Sequence, residues 1–316
     1  MRRIAVQALG AWGMTDAELR LINHGFNTTF RVTTHSERYA LRINVNSVHS
    51  LPETYAEVDW LEHLKQEPSL DTPRLVKARS GEPLVLIDDS GFDRPLPCLL
   101  FEWLPGPNLA GRETVASYES LGMAMRALHR NTRTLELSSR AELKEITDPL
   151  LGLPLDLRGH PADLPLFREV VAEAQESFQV LRSTPAIPLH YDLHGHNLKF
   201  HGGRLAVFDF DDCVAGRPIL DPAVTLYYLR NHRRAELLEA AMWKGFGSGP
   251  DAHGLSERQF EVIVAARAVL LANDIVQTNN RELLDYIPTY LKRCDARLAH
   301  FARTGRFDPK QHGESA

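Results

Sequence analysis

Over the first hundred residues, apolar and polar positions trade places in short runs. Residues 17–22 (AELRLI), 28–34 (TTFRVTT) and 38–45 (RYALRINV) alternate with a partial period of two, the mark of half-buried strands. Gly25, Asn27 and the His35-Ser36-Glu37 segment supply turn chemistry between them. One helix is predicted over 50–66. It opens on Ser50, Pro52 and Glu53 and stops before Pro68. Further strands are predicted at 73–78, 82–88 and 97–104.

After residue 104 the period changes. Pro105, Gly106 and Pro107 punctuate the chain, and beyond them Val115, Tyr118, Leu121, Met125 and Leu128 step by three or four. That spacing predicts a helix over 115–130 with one buried face. Pro149, Pro154, Pro161 and Pro165 make 131–165 a loop-rich insertion with short helices. Helix follows at 165–183, then a compact β-like region at 187–212 whose Gly202-Gly203 reads as a hairpin turn. Helices over 221–232, 234–246, 256–278 and 288–303 complete the pattern, before a polar tail after Phe307. The expected fold class is α+β, two-lobed: a β-rich lobe of about 100 residues, a short crossing, and a helical lobe of about 210. Ligands favour the crevice between two such lobes.

Composition narrows the classes. With 316 residues, 43% hydrophobic and 24% charged, the chain suits a globular protein and excludes disordered, collagen-like and coiled-coil architectures. The 36 Lys and Arg against 41 Asp and Glu leave a net charge of −5, which argues against a nucleic-acid partner. No apolar run approaches the roughly 18 residues of a membrane span. Gln7 and Gly10 break the mildly apolar start, which makes a signal peptide a poor fit and a cytoplasmic location the expectation. Cys98, Cys213 and Cys294 are dispersed and odd in number, and read as buried or partly buried free thiols. No pattern speaks to oligomeric state.

Chemistry concentrates between His190 and Asp209. Asp192 follows the apolar residues 187–189 on a loop, where its carboxylate can orient a hydroxyl and take its proton. Asn197 offers a neutral oxygen five residues on, and Asp209, on the next strand, a charged one. A carboxylate, an amide oxygen and phosphate oxygens together suit Mg²⁺. A base with two such ligands forms a phosphoryl-transfer constellation. His190, His194 and His196 read as loop histidines that satisfy backbone groups rather than as a zinc site. Asp211 and Asp212 read as a solvated pair, and the tryptophans at 12, 60, 103 and 243 as core or lobe-interface residues.

His190-x-Asp192-Leu-His194-x-x-Asn197 followed by Phe208-Asp209-Phe210-Asp211-Asp212 resembles the catalytic and metal-binding loops of the aminoglycoside phosphotransferase and choline kinase superfamily, of protein-kinase-like fold. The bacterial Ser/Thr kinase and homoserine kinase type is the subgroup it is most similar to. The resemblance runs from about residue 20 to about 300. It implies a nucleotide-binding lobe over 1–104 that ends in a hinge, and a helical lobe over 105–316 with the catalytic loop and acceptor pocket. It places Arg42 where protein kinases carry a phosphate-contacting Lys, with Ala40 on the same strand face leaving room for a base. Arg is a planar fork where Lys is a point charge, so the contact geometry must differ. The resemblance gives Glu57, with Glu53 as the lesser alternative, as the partner of Arg42. Asn27 and Thr28 belong to a degenerate glycine-rich loop near phosphate. The backbone of Glu102 to Leu104 would meet the base edge, and Asp221 would steady the catalytic loop.

The expected activity is transfer of the γ-phosphoryl group of ATP or GTP, with Mg²⁺, to a hydroxyl on a small molecule (an amino alcohol, a homoserine-like compound or an aminoglycoside) or on a protein Ser or Thr. Residues 150–190 hold five acids (Asp156, Asp163, Glu169, Glu173, Glu176) against three Arg (Arg158, Arg168, Arg182), too small an excess for a polycationic acceptor. An aromatic cage for a choline-like acceptor would draw on Tyr227, Tyr228 or Trp243. One rival is a haloacid-dehalogenase-type phosphatase with Asp209 as nucleophile and Asp211 as acid. Another is a nucleotide-binding pseudokinase or interaction module, favoured by Arg42 and the degenerate glycine loop.

Overall fold

The structure is a computed structural model and describes residues 1–25, 27–45, 49–158, 165–277 and 284–308. Pro161, Asp163, Thr278 and the tail from residue 309 lie outside the described residues. The fold is α+β, and the chain forms two compact units. The first comprises Met1–Pro107, Thr134–Leu143 and Lys199–Cys213; the second comprises Asn108–Arg133, Lys144–Leu198 and Val214–Ala316.

The first unit is built on an antiparallel sheet of β1 (Glu18–His24), β2 (Thr28–Thr33), β3 (Arg38–Ile43), β4 (Val85–Ile87) and β5 (Leu96–Glu102), in the order β1-β2-β3-β5-β4. Alternation in β2 sends Phe30 and Val32 inward, to a core shared with Leu41, Ile43, Leu96 and Leu100. Helix α1 (Arg2–Gly10) closes that core with Ile4, Ala5, Ala8 and Leu9. The pattern reading passed over this helix because its apolar stripe is short and its first turn carries two Arg. Segment 73–78 is not a strand. Leu75 makes one isolated bridge to Phe101, with Val76 donating to the Leu100 carbonyl and Glu102 to that of Arg74. Pro73 contributes no N–H, and at Arg79 the backbone turns to Ala11 instead.

Helix α2 (Leu51–Leu64) begins in a capping box: Ser50 Oγ accepts from the Glu53 amide, and the Glu53 carboxylate accepts from the Ser50 amide at 2.6 Å. The strands of the 187–212 region divide between the two units. Strand β6 (Ile187–Leu189) belongs to the second unit, while β7 (Leu198–His201) and β8 (Arg204–Val207) pair through Gly202 and Gly203, at φ +58° and +78°. Two consecutive left-handed positions are what a two-residue hairpin turn requires.

In the second unit β6 pairs with β9 (Val214–Gly216), residues 144–158 carry no helix or strand, and the longer elements are helices: α3 (Val115–Asn131), α4 (Pro165–Leu181), α5 (Leu220–Leu229), α6 (Ala235–Phe246), α7 (Glu257–Ile275) and α8 (Ile287–Thr304). Helices α3 and α6 cross at two glycines. A Cβ on Gly122 would lie 2.1 Å from the Met242 carbonyl oxygen, and one on Gly245 would lie 2.0 Å from that of Glu119. Gly122→Ala is therefore expected to cost at least about 1–3 kcal/mol of stability through overpacking. Gly10→Ala in α1, whose Cβ would meet nothing nearer than 4.0 Å, should cost nothing. Urea unfolding of the two variants checks the contrast. Cys98, Cys213 and Cys294 are buried free thiols, as their dispersal implied. Among the described residues, no helix is long and apolar enough to cross a membrane.

Candidate active site

In the second unit, the loop after β6 carries Asp192. Two helices hold it in shape. From the start of α5, the fully buried Asp221 accepts the Tyr191 amide at 2.7 Å on one oxygen and meets His129 Nε2 of α3 at 2.7 Å with the other. Thr225 Oγ1, one turn on, donates to the Leu193 carbonyl at 2.6 Å. Between these anchors Tyr191 takes φ +62°, a left-handed conformation that a bulky residue adopts only when its surroundings impose it.

The Asp192 carboxylate is clasped. Oδ2 accepts from Asn197 Nδ2 at 2.8 Å and lies 3.1 Å from His194 Nε2; Oδ1 lies 3.3 Å from Arg267 Nη2. Burial works against its charge, but the hydrogen bond and charge of His194, with the charges of Arg267 and His190, hold its carboxyl below the ordinary range. Asn197 spends its amide nitrogen on the carbonyl and carboxylate of Asp192, which leaves its oxygen as the acceptor atom. Two of the three loop histidines satisfy the backbone: His190 Nδ1 accepts from the Asp192 amide and His194 Nδ1 from that of His196.

In the first unit, Arg42 of β3 and Glu57 of α2 come together as a bidentate, fully buried pair, with Nη1 to Oε1 at 2.8 Å. Glu53 is spent on the helix cap, which leaves this partnership to Glu57. Arg42 Nε donates to Asn44 at 3.0 Å, and Nη1 lies 3.6 Å from Asp209 Oδ1. Burial opposes the guanidinium charge, but the carboxylates of Glu57, Asp211 and Asp209 outweigh it and raise the Arg42 pKa. Asp209 itself sits at φ +67° just past β8. Burial and the adjoining Asp211 carboxylate push its carboxyl well above the usual range, against the pull of Arg42, although its side chain keeps 40% of its surface exposed. Two carboxylates crowded at hydrogen-bond distance, with an exposed edge, are a donor set that a hard divalent cation fits.

Asp211 and Asp212 are more than a solvated pair, although the Asp212 side chain keeps 45% of its surface exposed. Asn27 Nδ2 donates to Asp211, and His49 Nε2 lies 2.9 Å from Asp212. The exposed sequence context of three acids hid these partners, which arrive from residues more than 160 positions away. Thr28 is fully buried with its hydroxyl 2.8 Å from His24 Nδ1. Ala40 lies between Arg31 and Phe101 in the sheet. Glu102 and Leu104 border a cavity of about 400 Å³, together with Trp103, Arg74, Lys199 and Arg204. The Leu104 carbonyl already accepts from Lys199 Nζ at 2.9 Å, and the Glu102 amide donates to Arg74.

The profile of the APH phosphotransferase enzyme family matches residues 18–256. The chain belongs to this family. It is similar to the amicoumacin kinase of Bacillus subtilis (strain 168), 21% identical over 227 residues, which cover 71% of this chain and 67% of that protein. In fold it is similar to a microcompartment-associated aminopropanol kinase (TM-score 0.72, 21% identity, 98% of this chain and 100% of the other). It also resembles the amicoumacin kinase hAmiN in complex with AMP-PNP, Ca²⁺ and Ami (TM-score 0.71, 19% identity, 88% of each chain).

An APH phosphotransferase is a kinase with an alcohol group as acceptor, which removes the phosphatase reading of Asp209. The sheet agrees: β8, which leads to Asp209, lies in a two-stranded ribbon with β7 and adds one isolated bridge from Ala206 to Asp71, where a haloacid dehalogenase would need a parallel α/β sheet. Of the three aromatics considered for a cage, Tyr227 and Tyr228 meet edge to face at 5.1 Å, but Trp243 does not join them. Tyr227 is buried against Phe307, and Trp243 packs on Phe246 and Phe260. Tyr228 alone approaches the loop, its ring 4.5 Å from that of His194. Sequence reasoning missed Arg267, Thr225 and His49. Each is distant in sequence from the residue it meets, by 75, 32 and 163 positions, whereas the Leu128-His129 end of α3 had a local signal.

Proposed function

We propose that this phosphotransferase moves the γ-phosphoryl group of ATP, or of GTP, to the hydroxyl of a small molecule, with Mg²⁺ as the cation. The observation that carries the reading is the clasped Asp192: a carboxylate kept charged, with Oδ2 occupied by two donors and Oδ1 holding one long contact. The acceptor hydroxyl would sit on Asp192, which orients it and takes its proton. Its oxygen bonds to the γ-phosphorus as the bond from that phosphorus to the β–γ bridging oxygen breaks, and the nucleoside diphosphate leaves. A carboxylate with a lowered pKa is a weak base, so its main work is positioning.

Asp209 supplies a charged and Asn197 a neutral oxygen ligand for the cation, which when bound would neutralise charge on the phosphates. Arg42, fixed by Glu57, is the phosphate contact. Ala40 leaves room for the base, whose edge would meet the backbone at Glu102 and Leu104. Asn27 would approach phosphate by its side chain, Thr28 by its backbone amide, since its hydroxyl is engaged. Residues 1–104 thus carry the nucleotide site and 105–316 the acceptor pocket. The relatives support a small-molecule acceptor, because their names state kinases of aminopropanol and amicoumacin, and a nucleotide with a divalent cation, because hAmiN holds AMP-PNP and Ca²⁺.

The test is a Mg-ATP phosphorylation screen over small alcohols, sugars, aminoglycosides and the protein itself. Transfer to at least one small acceptor is expected, and chelation of the metal should bring it to background. Nucleotide binding with no turnover across the panel would favour the pseudokinase instead.

A further inference from the structure

Helix α7 is buried along most of its length, yet at Arg267 it presents a guanidinium to Asp192. Its charge helps to keep Asp192 ionised, but the mechanism above gives it no contact with the acceptor. Asn197 and His194 satisfy Asp192 Oδ2, so Oδ1 is the oxygen left for an acceptor hydroxyl. Arg267 Nη2 lies 3.3 Å from that same Oδ1, so a hydroxyl docked there sits beside the guanidinium. Arg267 is fixed in place: its guanidinium carbon stands 5.1 Å above the Tyr191 ring, and it hydrogen-bonds the Tyr228 side chain, whose ring packs on His194. Its side chain is only 11% exposed, so solvent screens its charge weakly, and its Nε is buried without a partner. The cavity against Tyr191, Phe178 and Arg267 measures about 20 Å³, room for one water, so an acceptor must meet Arg267 from the Asp192 side.

We infer that Arg267 is a specificity-determining residue that selects an acceptor carrying a carboxylate near its reacting hydroxyl, a hydroxy acid, and rejects amino alcohols and polycations. A carboxylate at that place can accept from the guanidinium N–H groups that Asp192 and Tyr228 leave unused, which offsets its approach to the Asp192 carboxylate, whereas an ammonium can accept from none of them. The inference rests on the phosphotransferase reading and deepens it. The titrating step is unchanged: the hydroxyl proton passes to Asp192, and the phosphoryl group to the hydroxyl oxygen.

The experiment uses the full chain with Mg-ATP and compares lactate and glycerate with ethanolamine, aminopropanol and an aminoglycoside. The hydroxy acids should lead by roughly tenfold or more in kcat/KM. Arg267→Gln should raise their KM by roughly tenfold with a smaller change in kcat, and should narrow the preference; Arg267→Lys, which keeps the charge, should restore part of it. Direct titration of lactate onto the protein with a non-hydrolysable ATP analogue gives a second readout, and should weaken in the Gln variant. A wild type that prefers the amines, or a Gln variant with an unchanged ranking, overturns the inference and leaves the phosphotransferase reading standing. If the Gln variant does not fold, the wild-type ranking and the Lys variant decide. No transfer to any acceptor overturns both.

Discussion

Asp192→Asn is expected to lower phosphoryl transfer by roughly 10²–10⁴-fold while nucleotide affinity changes little. The substitution keeps the side chain's size but removes the charge that His194, Asn197 and Arg267 converge on. An amide oxygen can still accept a hydrogen bond, but it cannot take the hydroxyl's proton. Asp192→Ala should cost at least as much, and also leaves Arg267 without its carboxylate, so thermal unfolding must accompany the kinetics. A folded Asn variant with activity within threefold of wild type would remove Asp192 from the chemistry and, with it, the assignment of the loop. Single-turnover measurement with saturating nucleotide separates this loss from any change in binding.

How much of this was legible beforehand differs from residue to residue. Asp192, Asn197 and Asp209 could be proposed together because they lie within 18 residues of contiguous sequence, where spacing survives without a structure. The strands that form β1, β2, β3 and β5 showed because each buries one face, so alternation is written locally. Helix α1 was missed because two arginines begin it and its apolar stripe is only two turns long. Segment 73–78 was misread because an apolar stretch that touches a sheet through two hydrogen bonds has the same composition as a strand. Arg267, 75 positions from Asp192, lay in a helix whose apolar run gave it the look of a core segment. The clasps on Asp211 and Asp212 were hidden for the same reason: their partners, Asn27 and His49, are distant in sequence. Local chemistry was readable, and long-range charge pairing was not.

Glu57→Ala is expected to cost roughly 3–5 kcal/mol of stability, the largest loss of any single ion-pair truncation in the first unit. Glu57 and Arg42 are both nearly inaccessible, and without Glu57 the guanidinium keeps Asn44 and a 3.6 Å approach to Asp209 but loses its bidentate partner. A buried charge left so poorly paired is more costly than the pair was stabilising. For that reason the double variant Arg42→Met, Glu57→Leu should recover most of the lost stability, since well-packed apolar residues commonly replace a buried ion pair at little cost. The two variants together separate structure from function. If Arg42 contacts the nucleotide phosphates, the double variant folds but binds ATP weakly and transfers poorly. If Arg42 only holds β3 to α2, the double variant is both stable and active. Urea unfolding gives the first quantity and ATP titration the second, and the expected result is stability regained without nucleotide affinity. That outcome would place the energetic role of the pair in the fold and its chemical role in Arg42 alone, with Glu57 acting through the geometry it imposes on the guanidinium.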